Sequence, residues 1–297
     1  VETFIFDAML LENLSHILIE QRAIASTHLK RIVIVDCYLP KNILNPNELS
    51  LLVINDGQDL EDMPLAPILN GLLSSGQIEP LFCVGLHCNK YRREEYGTAS
   101  MTDYAGRGTK SKAHQLFITE ELIPFLQKEY SVESFKQKAI AGFSLGGLSA
   151  IDTAWNYPDV FSTVGVFSGS LWWRMKDLGD DYDDHQHRIM HQQIRKGEHQ
   201  PGMRFYFMTG SLDETADRNG NGVIDSIDDT VDLMNELEKL GYDKAKDMHY
   251  INYEDGRHDI PSWGKAMPAF LLWGWSTSVA ETKTEKAINA KKNDLLI

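Results

Sequence analysis

Cysteine is scarce: Cys37, Cys83 and Cys88 are the only three in 297 residues, and no C-x-x-C pair occurs. An odd count without paired spacing argues against a disulfide framework. Buried or inert thiols are expected, with a single Cys83–Cys88 bridge as the one pairing open in an oxidising compartment. Positive charge is also short, with 29 Lys and Arg against 43 Asp and Glu and a formal charge of −14. That balance argues against nucleic acid or an anionic membrane as the main partner, because both need a basic footprint. No apolar run approaches the ~20 residues that span a bilayer. The opening VETFIFDAML has no basic segment followed by an apolar one and a small-residue cleavage site, so no leader is read there and a cytoplasmic location is expected. The chain starts at Val1 rather than Met, so a periplasmic or secreted location is the alternative if a leader has been removed. Internal repeats and low-complexity blocks are missing too.

What is present is an ordinary globular composition: 42% hydrophobic residues suffice for a substantial core, and 24% charged residues exclude a disordered or fibrous chain. Short β-rich runs recur at 31–38, 51–55, 81–86, 138–142, 163–167, 204–209 and 248–253. Near-continuous apolar runs of this length predict strands buried on both faces, as in a parallel sheet. Helical patterns lie between them. Residues 114–129 repeat apolar side chains near a 3.6-residue period, 145–156 are small and apolar, and 230–240 carry one apolar stripe. The alternation predicts an α/β fold, a three-layer sandwich around a mostly parallel central sheet. The chain divides into an N-terminal edge segment at 1–30, expected as an antiparallel hairpin, and an α/β catalytic domain at 31–275. Residues 176–202, rich in Asp, His and Gln, read as an insertion over one face, and 276–297 as a polar tail.

Gly142-Phe143-Ser144-Leu145-Gly146 is a G-x-S-x-G motif with an expected strand before it and a small-residue helix after it. Strand, sharp turn and helix are the setting in which such a serine is lifted clear of the sheet as a nucleophile. The helix N-terminus behind it favours developing negative charge. A serine hydroxyl needs a base. His258, in Glu254-Asp255-Gly256-Arg257-His258-Asp259 after the last expected strand, is the best placed of ten histidines. His185, His187, His191 and His199 in the insertion read as solvated surface or at most substrate contacts, and His249 as structural. An acid to orient the imidazole should follow the penultimate strand. Asp213 and the adjacent Glu214 both qualify, with Asp213 preferred. The oxyanion would be met by the N–H of Leu145 and by that of Gln58, in the Asp56-Gly57-Gln58 turn after an earlier strand.

Together these segments resemble the putative esterase family of α/β-hydrolases, which includes esterase D-like enzymes, feruloyl esterases, enterobactin-type siderophore esterases and mycolyltransferases. The resemblance runs over about residues 30–275. It is carried by Asn55–Gln58, Arg92-Arg93-Glu94-Glu95-Tyr96, Glu121-Leu122-Ile123-Pro124-Phe125, Gly142–Gly147, Phe167–Trp173 and Gly256–Asp259. It implies a serine carboxylester hydrolase acting through an acyl-enzyme with Ser144, His258 and Asp213 or Glu214, and no cofactor for catalysis. It also suggests that the Arg92/Glu95/Tyr96 segment shapes the acyl pocket, with a surface salt-bridge loop as the equal alternative. Acyl transfer with the same residues, or a non-catalytic calcium-dependent binding module on a hydrolase fold, are the alternatives. Trp172, Trp173, Tyr91 and Tyr96 are candidates for an aromatic lining around a sugar, phenolic acid or siderophore ester, and the two tryptophans fit a core position equally well. The oligomeric state is not legible.

Asp217–Asp228 reads D-x-N-x-N-G-x-I-D-x-x-D, which looks like a dockerin-type calcium loop. Asp217, Asn219, Asn221, Asp225 and Asp228 supply oxygens at loop positions 1, 3, 5, 9 and 12, Val223 its carbonyl at 7, and Gly222 the sharp turn at 6. A structural Ca2+ ordering the acid-bearing segment is the expectation. An Asx-rich turn capping the following helix is the alternative.

Overall fold

The computed structural model describes residues 14–41, 43 and 45–277. The opening of the edge segment and nearly all of the expected polar tail lie outside the described residues. Eight strands form one sheet: β1 (Ile17–Ser26), β2 (Arg31–Pro40), β3 (Ser50–Asn55), β4 (Leu81–Leu86), β5 (Lys138–Phe143), β6 (Thr163–Phe167), β7 (Arg204–Leu212) and β8 (Met248–Arg257). The spatial order is β1-β2-β4-β3-β5-β6-β7-β8. β1 and β2 make an antiparallel hairpin, and β2 runs antiparallel to β4. Every pairing from β4 to β8 is parallel. This is the mostly parallel α/β sheet expected.

Parallel neighbours need crossovers, and helices supply them. α1 (Leu65–Ser74) links β3 to β4. α2 (Arg92–Glu95), α3 (Ser111–Leu116) and α4 (Ile123–Glu129) precede β5, α5 (Leu145–Asn156) joins β5 to β6, and α6 (Asp184–His187) with α7 (Ile189–Lys196) precede β7. α8 (Asp225–Lys239) precedes β8, and α9 (Ile260–Trp275) follows it. The helix expected at 114–129 is interrupted by a π segment, Phe117–Leu122, between α3 and α4. Pro124 explains it: proline has no N–H and its ring crowds the carbonyl four residues back, so the ladder must widen there.

Alternate side chains on each central strand go to opposite faces. Leu51 and Val53 join a cluster with Leu148 and Ile151 of α5 and Leu233 and Leu237 of α8. Leu52 and Ile54 join another with Leu69 of α1 and Phe270 and Leu271 of α9. Burial on both faces is why these strands read as continuous apolar runs. No helix among the described residues is long and apolar enough to cross a membrane. All three cysteines are free thiols. Burial pushes Cys37 up to about 11.

Within the insertion, Ile189, Met190 and Ile194 of α7 are buried in the first cluster. His191 corrects the surface reading of that histidine group. It is fully buried, and its Nε2 meets the Asp229 carbonyl at 2.8 Å.

Candidate active site

The order of strands reverses direction at β3, whose chain neighbours β4 and β5 lie on its two sides. Open α/β sheets form a crevice at the carboxyl ends of the strands where this happens. There, β5, β6, β7 and β8 end at Phe143, Phe167, Leu212 and Arg257, and the next residues are Ser144, Ser168, Asp213 and His258. The ends of β5 and β6 are in register, Phe143 with Phe167, and so are those of β7 and β8, Leu212 with Arg257 after a register shift in β7, while Phe167 pairs with Met208 and β7 runs four residues further. Four polar side chains from distant sequence positions thus form a row along one edge.

Ser144 has φ 54° and ψ −123°, a conformation L-residues rarely adopt and keep only when their surroundings dictate it. Its N–H donates to the Phe167 carbonyl at 2.9 Å, and its carbonyl accepts from Ser170 N at 3.0 Å. The turn leaves no room for larger residues beside it. A Cβ on Gly142 would lie 2.3 Å from the Gly146 carbonyl oxygen, and one on Gly146 would lie 2.6 Å from Asp56 Oδ2. The Ser144 hydroxyl sits 3.4 Å from Ser170 Oγ. Leu145 opens α5, where a first-turn N–H has no acceptor within the helix.

Asp213 is buried, and its carboxylate is met on both oxygens. Oδ1 accepts from Ser168 Oγ at 3.1 Å, and Oδ2 from Gly210 N and Ser226 Oγ, both at 2.9 Å. Glu214 is half-buried and its pKa is raised by burial, with the Ser226 backbone N–H opposing the shift. Of the two carboxylates, only Asp213 acts on the charge of His258. The imidazole is held below its ordinary pKa first by desolvation and further by Arg92, while Asp213 and Asp259 pull it upward. Solvent nevertheless reaches the residue, which is exposed overall. The ring meets Trp263 edge-on at 5.3 Å, and Trp263 stacks on Phe143 at 5.2 Å, one residue before Ser144. The hydrogen bonds of Ser144 and Asp213 go to other partners, and neither side chain is bonded to His258 in this structure.

The loop after β3 is latched to the start of α5. Asn55 Nδ2 donates to the Gly146 carbonyl at 2.9 Å, and Asn55 Oδ1 meets His114 Nε2 at 3.1 Å. Burial lowers the pKa of His114 to about 3, so it holds this bond as a neutral ring. Asp56 has a left-handed φ of 61° and leads into a 3-10 turn, Gly57–Asp59. Its N–H donates to Tyr96 Oη at 3.0 Å, and Arg92 grips its carboxylate with Nε and Nη2, each at 2.7 Å. Gln58, in that turn, is exposed.

Two of the four expected substrate contacts are buried. Tyr96 is 1% exposed, and its hydroxyl accepts from the Asp56 backbone N–H. Trp173 is fully buried, and its indole N–H donates to Thr98 Oγ1 at 3.1 Å. Both are core residues holding loops, because their polar tips already have intramolecular partners. Arg92 serves the Asp56 loop while remaining partly exposed. Trp172 is half-buried, with the guanidinium groups of Arg107 and Arg174 at 5.1 and 5.5 Å from its ring. Sequence reasoning missed Ser168, Ser226 and Trp263. Ser168 lies in the Phe167–Trp173 stretch, but nothing local marks which of its serines faces Asp213.

In the 217–228 loop, Asp217 accepts from the N–H groups of Gly220, Asn221 and Gly222. The side chains of Asn219 and Asn221 both reach Asp228 Oδ2, at 2.9 and 2.7 Å. Asp225 is withdrawn from this group: its carboxylate accepts from Arg218 N at 2.9 Å and pairs with Arg218 Nη1 at 3.2 Å. Among the described residues no cluster of three or more His, Cys, Asp or Glu is arranged to hold a metal. The loop closes where Asp225 N donates to the Ala216 carbonyl at 2.8 Å, one residue before Ser226 reaches Asp213.

A mostly parallel sheet with helices on both faces and a positive-φ serine between its central strand and the next helix defines an α/β-hydrolase fold. A family profile described as Putative esterase matches residues 26–273, and the chain belongs to that family. It is 23% identical over 178 residues to the uncharacterized protein YjcH of Bacillus subtilis, covering 59% of this chain and 72% of the relative. It is 28% identical over 131 residues to the iron(III) enterobactin esterase of Escherichia coli K12, covering 42% of this chain and 30% of that protein. Among solved structures, the enterochelin esterase of Shigella flexneri superposes with TM-score 0.65 at 22% identity over 86% of this chain. The match spans only 58% of that protein. A ferulic acid esterase superposes with TM-score 0.63 at 17% identity, covering 87% of this chain and 97% of that one.

Proposed function

We propose that the chain hydrolyses carboxylic esters through a serine acyl-enzyme, with Ser144 as nucleophile, His258 as base and Asp213 as the acid that orients it. The supporting observation is the row of strand ends, which brings a strained serine, a buried carboxylate and a histidine to one edge of the sheet. In the first half-reaction the Ser144 hydroxyl attacks the ester carbonyl as its proton passes to His258. The imidazolium, stabilised by Asp213, then protonates the departing alcohol. Water, deprotonated by the same imidazole, frees the acid. The Leu145 and Gln58 N–H groups stabilise the oxyanion at the N-terminus of α5. The Arg92–Asp56–Tyr96 latch holds the Gln58 turn in place. For catalysis His258 must move to meet both partners, and the residue is exposed. Catalytic hydrogen bonds commonly tighten only once substrate is bound.

For substrate, we propose an ester with an aromatic acyl or alcohol part, such as a phenolic or catechol ester. Trp172, flanked by Arg107 and Arg174, lies two residues from Ser170, and Ser170 touches Ser144. The enterobactin and ferulic acid esterases among the relatives point the same way. A panel of acetyl, feruloyl, acetyl-sugar and trilactone esters tests this. Preference for the short acetyl ester over the aromatic ones would count against it.

The low pKa of His258 has a consequence for rate. The base must be neutral, so kcat/KM falls as pH drops through the imidazole pKa, and the acid-side midpoint should lie below the ordinary value of about 6.5. Arg92→Met removes a positive charge that disfavours imidazolium, so it should move that midpoint upward. A pH–rate profile on p-nitrophenyl acetate with an unmoved midpoint would contradict the assignment of His258.

Asp217, Asn219, Asn221, Asp228 and the Val223 carbonyl would hold a calcium ion, with the asparagine amides turned to present their oxygens. The ion would order the connection that carries Ser226 onto Asp213. Saturating Ca2+ should raise Tm by on the order of 5 °C over the EDTA-treated protein. Equal melting curves with and without EDTA would leave the loop as an Asx-rich turn.

A further inference from the structure

Between the strand-end residues Ser144 and Asp213 stands a fourth polar residue that ester hydrolysis does not itself require. Ser168 follows β6, is 1% exposed, and has φ 44°. Its N–H donates to the Met208 carbonyl at 2.7 Å, which fixes the turn. Its hydroxyl lies 3.1 Å from Asp213 Oδ1, 3.0 Å from Trp263 Nε1, and 3.9 Å from the Met208 sulfur. An indole N–H can only donate, so Ser168 Oγ accepts from Trp263 and its own proton is free for the carboxylate.

We infer that Ser168 is a positioning residue for the reaction, holding the Asp213 carboxylate in the orientation that serves His258, with Trp263 holding Ser168 in turn. The inference rests on the triad reading above. Asp213 Oδ2 already has two donors, Gly210 N and Ser226 Oγ, whereas Ser168 is the side chain that meets Oδ1. Without it the carboxylate is anchored through Oδ2 alone, so its orientation is less fixed, and Oδ1 has lost the donor that draws off its charge. Packing alone does not explain the residue. An alanine here would fill much of the same space but leave a buried indole N–H and a carboxylate oxygen unpaired, and a glycine would suit the positive φ better than serine does. The indole that holds Ser168 also meets the His258 ring edge-on at 5.3 Å and stacks on Phe143 at 5.2 Å. One rigid side chain therefore touches Ser168, His258 and Phe143, the residue before Ser144.

The groups that act on the charge of His258 are Asp213 after β7, Arg92 of α2 and the neighbouring Asp259. Of these only Asp213 touches Ser168. Removing the hydroxyl concentrates negative charge on Oδ1, favours imidazolium, and moves the acid limb of kcat/KM to higher pH.

The test compares Ser168→Ala and Ser168→Gly with the wild type in p-nitrophenyl acetate hydrolysis across pH, with Ser144→Ala and fluorophosphonate labelling run in parallel. Expected are a 10- to 100-fold fall in kcat for both Ala and Gly, KM within about twofold, and an acid limb displaced upward. A Gly variant with wild-type rate would show that the backbone conformation is what matters, and would overturn the inference. So would Ala and Gly variants with wild-type rates and an unmoved acid limb. A wild type that neither hydrolyses esters nor labels, or a fully active Ser144→Ala, would remove the triad reading and this inference together. An active, Ser144-dependent enzyme indifferent to Ser168 would remove the inference alone.

Discussion

Ser144→Ala should lower kcat for p-nitrophenyl acetate by on the order of 10^6 and abolish fluorophosphonate labelling, while the protein stays folded. The magnitude follows from the way the site works as a unit: without the oxygen, no acyl-enzyme forms, and the imidazole and oxyanion donors have no nucleophile to assist. Stability should hold because the hydroxyl contributes one long contact, to Ser170 at 3.4 Å, while the turn is secured by backbone bonds to Phe167 and Ser170 that alanine keeps. Ser144→Gly should be equally inactive and at least as stable to heat, since glycine accepts φ 54° without strain. Hydrolysis above the uncatalysed rate that tracks the pure alanine variant through chromatography would sink the assignment.

The second large effect separates two adjacent carboxylates. Asp213→Asn should cost about 10^4 in kcat, the scale seen when a buried triad acid loses its charge but keeps its shape. Glu214→Gln should stay within a few-fold of wild type. The contrast comes from burial and direction. Asp213 is enclosed by donors from Ser168, Gly210 and Ser226, and its charge reaches His258. Glu214 is only half-buried, and its charge is not among those that act on the imidazole. Parallel kcat measurements at pH 8, where a neutral imidazole is assured in both variants, make the comparison clean. Equal losses in the two variants, or the larger loss in Glu214→Gln, would reverse the assignment.

Periodicity disclosed the central strands within a few residues, because strands buried on both faces must be apolar throughout, as Leu51–Ile54 are. α5 was legible to the residue: a strand, Gly-x-Ser-x-Gly and a small-residue stretch leave the backbone one compact path, and crowding at Gly142 and Gly146 shows why those glycines are needed. The π segment was not legible, since its cause, Pro124, sits in a stretch that otherwise reads as uninterrupted helix. The places of Tyr96 and Trp173 were not legible for a related reason. An aromatic residue with a polar tip suits a pocket wall or a core equally, and only its partners, Asp56 N and Thr98 Oγ1, decide.

By itself, the amino-acid order determined that this is an α/β chain with a serine at a strand-to-helix turn, a histidine after the last strand and a carboxylate after the one before. Those features depend on local patterning and on chain order, which are written along one dimension. Only the tertiary structure decided which carboxylate is enclosed, that Arg218 draws Asp225 out of the 217–228 loop, and that Ser168 and Trp263 stand between Asp213 and His258. Such facts turn on which way a side chain points across neighbouring strands about 5 Å apart, and residues 26 to 95 positions distant in sequence carry no local trace of that meeting.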